Sequence, residues 1–200
     1  KVMVVFYENQ AFSKVIKESF FKEFASKGAL FTNFYGEHHP SQPNYIELIS
    51  GDAHGVKDDN VRDISGHSLA DLLEAKGMTW KNYAEGYPGR CFLGATKGRY
   101  ARKHTPFLSF KNIQQDPSRC KNVVDDEQLA KDISAGDLPD FSIYTPDMDD
   151  DGHDRGLDYA NKMFEKTFSS LIKNPKFMKD MLLIVTFDED DHTEIGRAHV

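Results

Sequence analysis

The sequence predicts an α/β fold with a largely parallel sheet and helices on both of its faces. Strand-like apolar runs alternate with helical segments along the chain, which is the pattern of βαβ units. The run Leu182–Phe187 (LLIVTF) is apolar without alternation, as is typical of a strand covered on both faces. The predicted strands are Val2–Tyr7, Leu30–Tyr35, Thr79–Ala84, Phe141–Thr145 and Leu182–Phe187.

Helices are predicted between these strands from the spacing of apolar residues and from terminal signals. Ser13 is the predicted N-cap of a helix that runs to about Ser26, and Ser68 caps a helix that stops at Gly77. The other predicted helices are a short one with Pro43 in its first turn, one near residues 127–135 and a long amphipathic one over Gly156–Lys173. Residues 86–126 are predicted to be mostly loop.

Composition excludes several classes of protein. The chain has 200 residues and a formal net charge of −7, which suits one domain and argues against a general nucleic-acid binder. No apolar run approaches the roughly 18 residues that cross a bilayer. Cys91 and Cys120 are either two unrelated thiols or a disulfide that staples the basic, glycine-rich segment between them. Without a CxxC pair, a structural zinc site is not expected.

Both ends of the chain look incomplete. Lys1 already lies at the start of a predicted strand, so we expect residues before it. Residues 195–200 (IGRAHV) resemble the translation of a short-read sequencing adapter, although an ordinary polar loop is the alternative. We therefore expect a single domain over residues 1–194 that is incomplete at its C-terminus, followed by a non-native tail over 195–200.

Polar side chains follow the first and the last predicted strand. Glu8 and Asn9 come after Val2–Tyr7, and Asp188 and Glu189 come after Leu182–Phe187. In open α/β sheets ligands bind outside the carboxyl ends of the strands, so these side chains should converge. Oxygen-rich groups of this kind suit a hard divalent ion, whereas a lone acidic pair is also typical of a solvated loop.

A serine at a predicted helix start lies between these clusters in sequence. Ser41 follows His39-Pro40, and Pro43 and Asn44 come after it. A serine there either caps the helix or acts as a nucleophile activated by a base or a metal. The free N–H groups of a helix N-terminus also favour an incoming phosphate or sulfate.

Two further segments carry candidate binding groups. Residues 145–154 (TPDMDDDGHD) bring Asp151, His153 and Asp154 to the end of a strand, where they suit a metal or a phosphoryl oxygen. An EF-hand is excluded, because its twelfth position would be Asp158 rather than glutamate. Arg99 and the cluster Arg102-Lys103-His104 suit an anionic substrate, or else a solvated surface.

Five segments of the chain carry a resemblance to a known family: ENQAFS, HPSQPNYIELISGD, RKHTPFLSF, LPDFSIYTPDMDDDGHD and LLIVTFDED. They resemble the phosphoesterase family of secreted acid phosphatases and bacterial phospholipases C, within the alkaline phosphatase superfamily. The resemblance runs in order over nearly all of residues 2–190. It implies an alkaline phosphatase-like fold, with Ser41 as the nucleophile. It also implies a further histidine ligand beyond the last predicted strand. Asp147 departs from the family pattern, in which asparagine is common.

The resemblance further implies roles for the remaining candidates. The implied metal ligands are Glu8, Asn9, Asp188 and Glu189, for a divalent ion of unknown identity. The predicted catalytic residues are Ser41 and His153, and the predicted substrate-binding residues are His39, Asn44, Lys103, His104 and Asp154.

The predicted function is metal-dependent hydrolysis of phosphate monoesters through a phosphoserine. The alternatives are a phospholipase C-type phosphodiesterase, for which Phe107, Leu108 and Phe110 would form an apolar approach, and a non-catalytic secreted binding protein on the same fold. A sulfatase is not expected, because Tyr45 stands where its motif requires arginine. The resemblance and the two cysteines together predict a secreted or periplasmic protein; the sequence does not predict an oligomeric state.

Overall fold

The predicted α/β class is confirmed. The computed structural model describes residues 1–191, and they form a five-stranded parallel sheet in the order β5-β2-β6-β1-β7, beside a short antiparallel pair β3-β4. The strands are β1 Val2–Tyr7, β2 Trp80–Ala84, β3 Thr96–Lys97, β4 Tyr100–Ala101, β5 Val123–Asp125, β6 Phe141–Thr145 and β7 Leu182–Phe187. The interior strand β1 is buried along nearly all of its length because helices cover both of its faces.

The α-helices are α1 Phe12–Val15, α2 Ser19–Ala25, α3 Ser41–Ser50, α4 Leu69–Ala75, α5 Lys111–Gln114, α6 Pro117–Cys120, α7 Glu127–Ala135, α8 Leu157–Ile172 and α9 Pro175–Met178, with 3₁₀ helices at Arg102–His104 and Pro106–Ser109. Helices α2, α7, α8 and α9 pack on one face of the sheet. Helices α3 and α4 pack on the other, where Tyr45 of α3 meets Phe6 of β1 edge-to-face. The second face therefore carries the helix that begins at Ser41.

The helix predicted from Ser13 to Ser26 is divided into α1 and α2. The division follows from a tertiary contact, because the side-chain oxygen of Asn161 in α8 accepts hydrogen bonds from the backbone N–H groups of Phe20 (2.9 Å) and Phe21 (3.1 Å). Asn161 thus satisfies two N–H groups at the start of α2 that have no partner within the helix. The spacing of apolar residues in this segment does not indicate the cap, because Asn161 lies in another helix.

The strand predicted over Leu30–Tyr35 is absent from the sheet: these residues have exposed side chains, with bends at Thr32 and Asn33 and an isolated bridge at Tyr35. The strand predicted over Leu182–Phe187 is present as β7. Its last three residues are buried, whereas Leu182 at its start is 57% exposed, and within residues 1–191 β7 is an edge strand. The segment 86–126, predicted as loop, holds the pair β3-β4, several short helices and β5. The helices predicted near 127–135 and 156–173 are present.

Cys91 and Cys120 form a disulfide with their Cα atoms 5.7 Å apart, so of the two interpretations the stapled segment is the one observed. Ser68 caps α4 as predicted, in a reciprocal arrangement with Asp71. Within residues 1–191 no helix has both the length and the hydrophobicity of a bilayer-spanning segment. The predicted tail over 195–200 and the end of the predicted domain lie outside the described residues and stay predictions.

Candidate active site

The ends of β1 and β7 lie side by side, because Tyr7 pairs with Phe187 in parallel register. The polar residues that follow are joined by backbone hydrogen bonds. One carboxylate oxygen of Asp188 accepts from the N–H of Asn9 at 3.0 Å and from the N–H of Glu189 at 2.7 Å. Asn9 has a positive φ of 44°, a conformation that asparagine tolerates better than most residues. The geometry thus brings the two predicted pairs together.

The hydroxyl of Ser41 lies between these two strand ends, at the first residue of α3. Its Oγ is 2.7 Å from Glu8 Oε2, 3.2 Å from Glu189 Oε1 and 3.5 Å from Asn9 Oδ1. One hydroxyl donates a single hydrogen bond, and the shortest of these contacts is to Glu8. Pro40 occupies the N-cap position of α3 and the Ser41 hydroxyl contacts Glu8, Glu189 and Asn9, so the capping interpretation has no support in this geometry.

A histidine faces the other oxygen of Glu8. His104 Nε2 is 3.1 Å from Glu8 Oε1, and His104 Nδ1 is 3.6 Å from a carboxylate oxygen of Asp151. The ring of His104 stacks on Tyr45, with centroids 5.0 Å apart. His104 and Glu8 are both fully or almost fully buried. Tyr45 therefore holds a histidine between two acidic side chains.

The site concentrates negative charge in a buried place. Burial acts to raise the pKa of Glu8, but His104, Lys103 and the hydrogen bond from Ser41 outweigh it and lower that pKa to about 2. Burial and the charge of Glu8 raise the pKa of Asp151 to about 9. Burial, Glu8 and Glu189 raise the pKa of Asp188 well above its usual range. Carboxylates packed this closely cannot all ionise without added positive charge.

The predicted ligand set fits a divalent cation by its chemistry. All the donors are oxygens, as hard cations require. Within the described part of the chain, Asp188 Oδ2 is buried without a hydrogen-bond partner. Buried charged oxygens without partners are costly, so a cation between the strand ends would relieve this cost.

A second acidic group, not predicted as a ligand set, lies after β2 and β6. Carboxylate oxygens of Glu85, Asp147 and Asp150 lie within 4.8 Å of one another. Burial raises the pKa of Glu85 to about 8, and the nearby Asp150 and Asp147 act in the same direction. The group has the spacing of metal ligands but does not include the four residues predicted for the metal.

The first turn of α3 offers fewer free N–H groups than the sequence suggested. The N–H of Gln42 donates to Asp59 Oδ1 at 3.0 Å, and Pro43 has no N–H. Lys103 Nζ contacts the other oxygen of the same carboxylate, Asp59 Oδ2, at 2.9 Å. Lys103 and His104 are therefore the cationic or ionisable groups that this face brings near Glu8.

The remaining predicted residues divide into two groups. His39 Nδ1 contacts a carboxylate oxygen of Glu189, so His39 belongs to the same cluster as Ser41. The amide of Asn44 instead clamps the preceding loop: its oxygen accepts from the N–H of His38 at 3.0 Å, and its nitrogen donates to the carbonyl of His38 at 2.8 Å. Asn44 thus holds the loop before α3, and its predicted contact with the substrate stays a prediction.

His153 and Asp154 lie in the loop after β6. His153 Nδ1 is 2.6 Å from Asp154 Oδ1, and Asp154 forms an ion pair with Arg99. His104 rather than His153 makes the contact with Glu8. Sequence reasoning also did not single out Asp59, since the run Asp58-Asp59-Asn60 looks like an ordinary polar loop.

The model of the Phosphoesterase family matches residues 10–193. A probable acid phosphatase of Kluyveromyces lactis is 30% identical over 96% of this chain and 48% of its own length. An acid phosphatase of Aspergillus fumigatus is 32% identical over 93% of this chain and 44% of its own length.

A bacterial protein is similar as well. A phosphatidylinositol-3-phosphatase of Mycobacterium tuberculosis is 30% identical over 95% of this chain and 63% of its own length. The chain thus spans about half the length of the fungal relatives that it matches.

Proposed function

The chain belongs to the Phosphoesterase family, and from this we propose that the protein hydrolyses phosphate esters through a covalent phosphoserine on Ser41. The observation that carries the proposal is the position of the Ser41 hydroxyl, 2.7 Å from Glu8 and 3.2 Å from Glu189. A serine needs an activating partner to act as a nucleophile, and a carboxylate accepts its hydrogen bond here. The names of the relatives, acid phosphatases among them, support the same reaction class.

The first step transfers the phosphoryl group to the protein. Ser41 Oγ forms a bond to phosphorus while the ester P–O bond breaks, and the hydroxyl proton is directed at Glu8 Oε2. The departing oxygen takes up a proton and leaves as an alcohol. His104 is placed to balance the charge near Glu8, and the predicted role of His153 in protonating the departing oxygen stays a prediction.

The second step releases the product. Water attacks phosphorus, the bond to Ser41 Oγ breaks, and the hydroxyl regains its proton, so that inorganic phosphate leaves. A divalent ion bound by Glu8, Asn9, Asp188 and Glu189 would lower the pKa of the hydroxyl and offset the charge of the phosphoryl oxygens. Lys103 adds a fixed positive charge from the adjacent 3₁₀ helix.

A phosphate monoester is the proposed substrate. Phe107, Leu108 and Phe110, which would have formed an apolar approach for a phospholipid, are fully buried in the core. The phosphatase names of the relatives also favour a monoester. We further propose a secreted or periplasmic protein, because disulfides such as Cys91–Cys120 persist in oxidising compartments.

Replacement of the nucleophile tests the proposal. In the full-length protein, Ser41→Ala should lower the rate of hydrolysis of an aryl phosphate by about three orders of magnitude or more. Ser50→Ala is the matched control, because Ser50 lies at the far end of the same helix and bonds to Ile46. Near-wild-type turnover in Ser41→Ala would refute the mechanism.

Two further assays address the covalent intermediate and the substrate. Acid quenching during turnover should trap phosphate on the peptide that contains Ser41. Hydrolysis of phosphatidylcholine that was faster than hydrolysis of the aryl phosphate would favour the phospholipase C alternative. If a folded wild-type protein had neither activity, the non-catalytic alternative would stand.

A further inference from the structure

Asp59 links the nucleophile helix to the turn that carries Lys103. One of its carboxylate oxygens accepts from the backbone N–H of Gln42 at 3.0 Å, and the other contacts Lys103 Nζ at 2.9 Å. Gln42 directly follows Ser41, and Lys103 directly precedes His104. A single carboxylate thus joins the two segments that meet at Glu8.

The loop that carries Asp59 is fixed from both sides. The side chain of Gln42 is 2% exposed, and its nitrogen donates to the carbonyl oxygens of Asp58 at 2.8 Å and of Asn60 at 2.7 Å. These bonds hold the backbone on either side of Asp59. Asp59 therefore cannot swing away without breaking contacts that bury Gln42.

The neighbouring segment is held by the same loop. The guanidinium of Arg102 is almost fully buried and bonds to Asp63 and to the carbonyl oxygen of Arg62. The 3₁₀ helix of Lys103 is therefore anchored at Arg102, and the long side chain of Lys103 is the part left to be oriented. Lysine has a long flexible stem with many rotamers, so a fixed partner matters for its position.

We propose that Asp59 is a positioning residue, which holds the ammonium group of Lys103 beside the first turn of α3 so that it binds the phosphoryl group at Ser41. This rests on the proposed function. The paired geometry of the carboxylate supports it, because one oxygen orients the helix end and the other orients the lysine. A carboxylate that merely capped the helix would leave the position of Lys103 unspecified.

The opposite role makes a different prediction. Asp59 occupies two donors, an N–H at a helix N-terminus and an ammonium group, that also suit a phosphate. If Asp59 acted as a competitor for these donors, its removal would tighten the binding of phosphate. If it positions Lys103, its removal should weaken that binding.

Binding of inorganic phosphate to the full-length protein, measured by calorimetry, separates these roles without depending on turnover. Asp59→Asn and Lys103→Met should each weaken phosphate binding and lower kcat/KM for an aryl phosphate by about 10-fold or more, mainly through KM. Asp58→Asn is the matched control, because Asp58 pairs with Arg62 through its side chain and should change neither value by more than about twofold.

The double variant decides whether the two residues act as a unit. Asp59→Asn/Lys103→Met should lose about as much as the worse single variant, whereas independent residues would show multiplied losses. Asp59→Glu should recover part of the affinity. Tighter phosphate binding in Asp59→Asn, or multiplied losses, would overturn the proposal.

The proposal can still be judged if Asp59→Asn does not fold or if the proposed mechanism fails. If Asp59→Asn does not fold, Lys103→Met alone still decides, since unchanged phosphate binding in that variant would refute the role of the pair. If Ser41→Ala retains full turnover while the phosphate measurements follow the expected pattern, the proposed mechanism fails and the positioning of Lys103 stands.

Discussion

At the scale of single residues, Gly36 shows how closely the chain packs around the candidate site. A Cβ atom at this position would lie 2.5 Å from the carbonyl oxygen of Asp188 and 3.3 Å from the Cα atom of Glu189. The obstacle is backbone, so a side chain at Gly36 can be accommodated only if the end of β7 or the segment of Gly36 itself moves. The absence of a side chain at Gly36 thus allows the close approach of two predicted ligands.

We expect Gly36→Ala to lower the free energy of unfolding by about 1–3 kcal/mol, the usual cost of overpacking. It should also lower phosphatase activity in the protein that remains folded. Gly28→Ala is the matched control, because nothing lies within 4 Å of a Cβ atom there. Chemical denaturation and an aryl phosphate assay check both values. Equal stability and activity in the two variants would contradict the close approach.

Single residues also show what the sequence could predict about the site. Glu8 and Asp188 were found because they follow strands, and the carboxyl ends of parallel strands share one edge. Local sequence does not indicate which of the two histidines, His153 or His104, lies beside Glu8. His104 reaches Glu8 because Tyr45, from another element, stacks against it, and no local pattern records such a contact.

At the scale of elements, α2 depends on a cap that α8 supplies. Asn161 is 4% exposed and accepts hydrogen bonds from Phe20 and Phe21, whose rings pack in the core on that face of the sheet. We expect Asn161→Ala to cost about 2–4 kcal/mol, because it leaves two buried N–H groups without partners. Lys162→Ala, next to it on the exposed side of α8, should cost less than about 0.5 kcal/mol.

Chemical denaturation of both variants measures the difference, and hydrogen exchange of the amides of Phe20 and Phe21 reports the cap directly. Exchange that was unchanged in Asn161→Ala would show that the N–H groups are satisfied in another way. The two-part helix follows from this cap. For this reason the sequence predicted the helical segment and its apolar face but not its division.

The wrongly predicted strand over Leu30–Tyr35 has a related cause. Its apolar and aromatic residues favour a strand, yet a strand forms only where a neighbour pairs with it. In the described part of the chain, the five strands of the sheet leave this segment outside, with Phe31 56% exposed. Central strands such as β1 were predicted correctly, because burial on both faces leaves an uninterrupted apolar run.

At the scale of the whole molecule, the balance of charge at the strand ends links cation binding to stability. The fold places Glu8, Asp188 and Glu189 together, although burial and the charge of Glu8 raise the pKa of both Asp188 and Glu189. A ligand that binds only the folded state adds about 2.7 kcal/mol at a concentration 100 times its Kd. A cation held by these residues should therefore stabilise the entire domain.

We expect a chelator to lower the Tm of the full-length protein by several degrees, and a divalent cation to restore it, because about 1 kcal/mol corresponds to roughly 2–4 °C in a chain of this size. Two acidic groups compete as the source of the shift. Glu8→Gln should abolish the shift if the predicted ligands hold the cation, whereas Glu85→Gln, in the group with Asp147 and Asp150, should leave it intact. The reverse result would show that the cation binds at the second group. Protonation, and not a metal ion, would then have to reduce the negative charge of the carboxyl groups around Ser41. Scanning calorimetry with each variant distinguishes these cases without reference to catalysis.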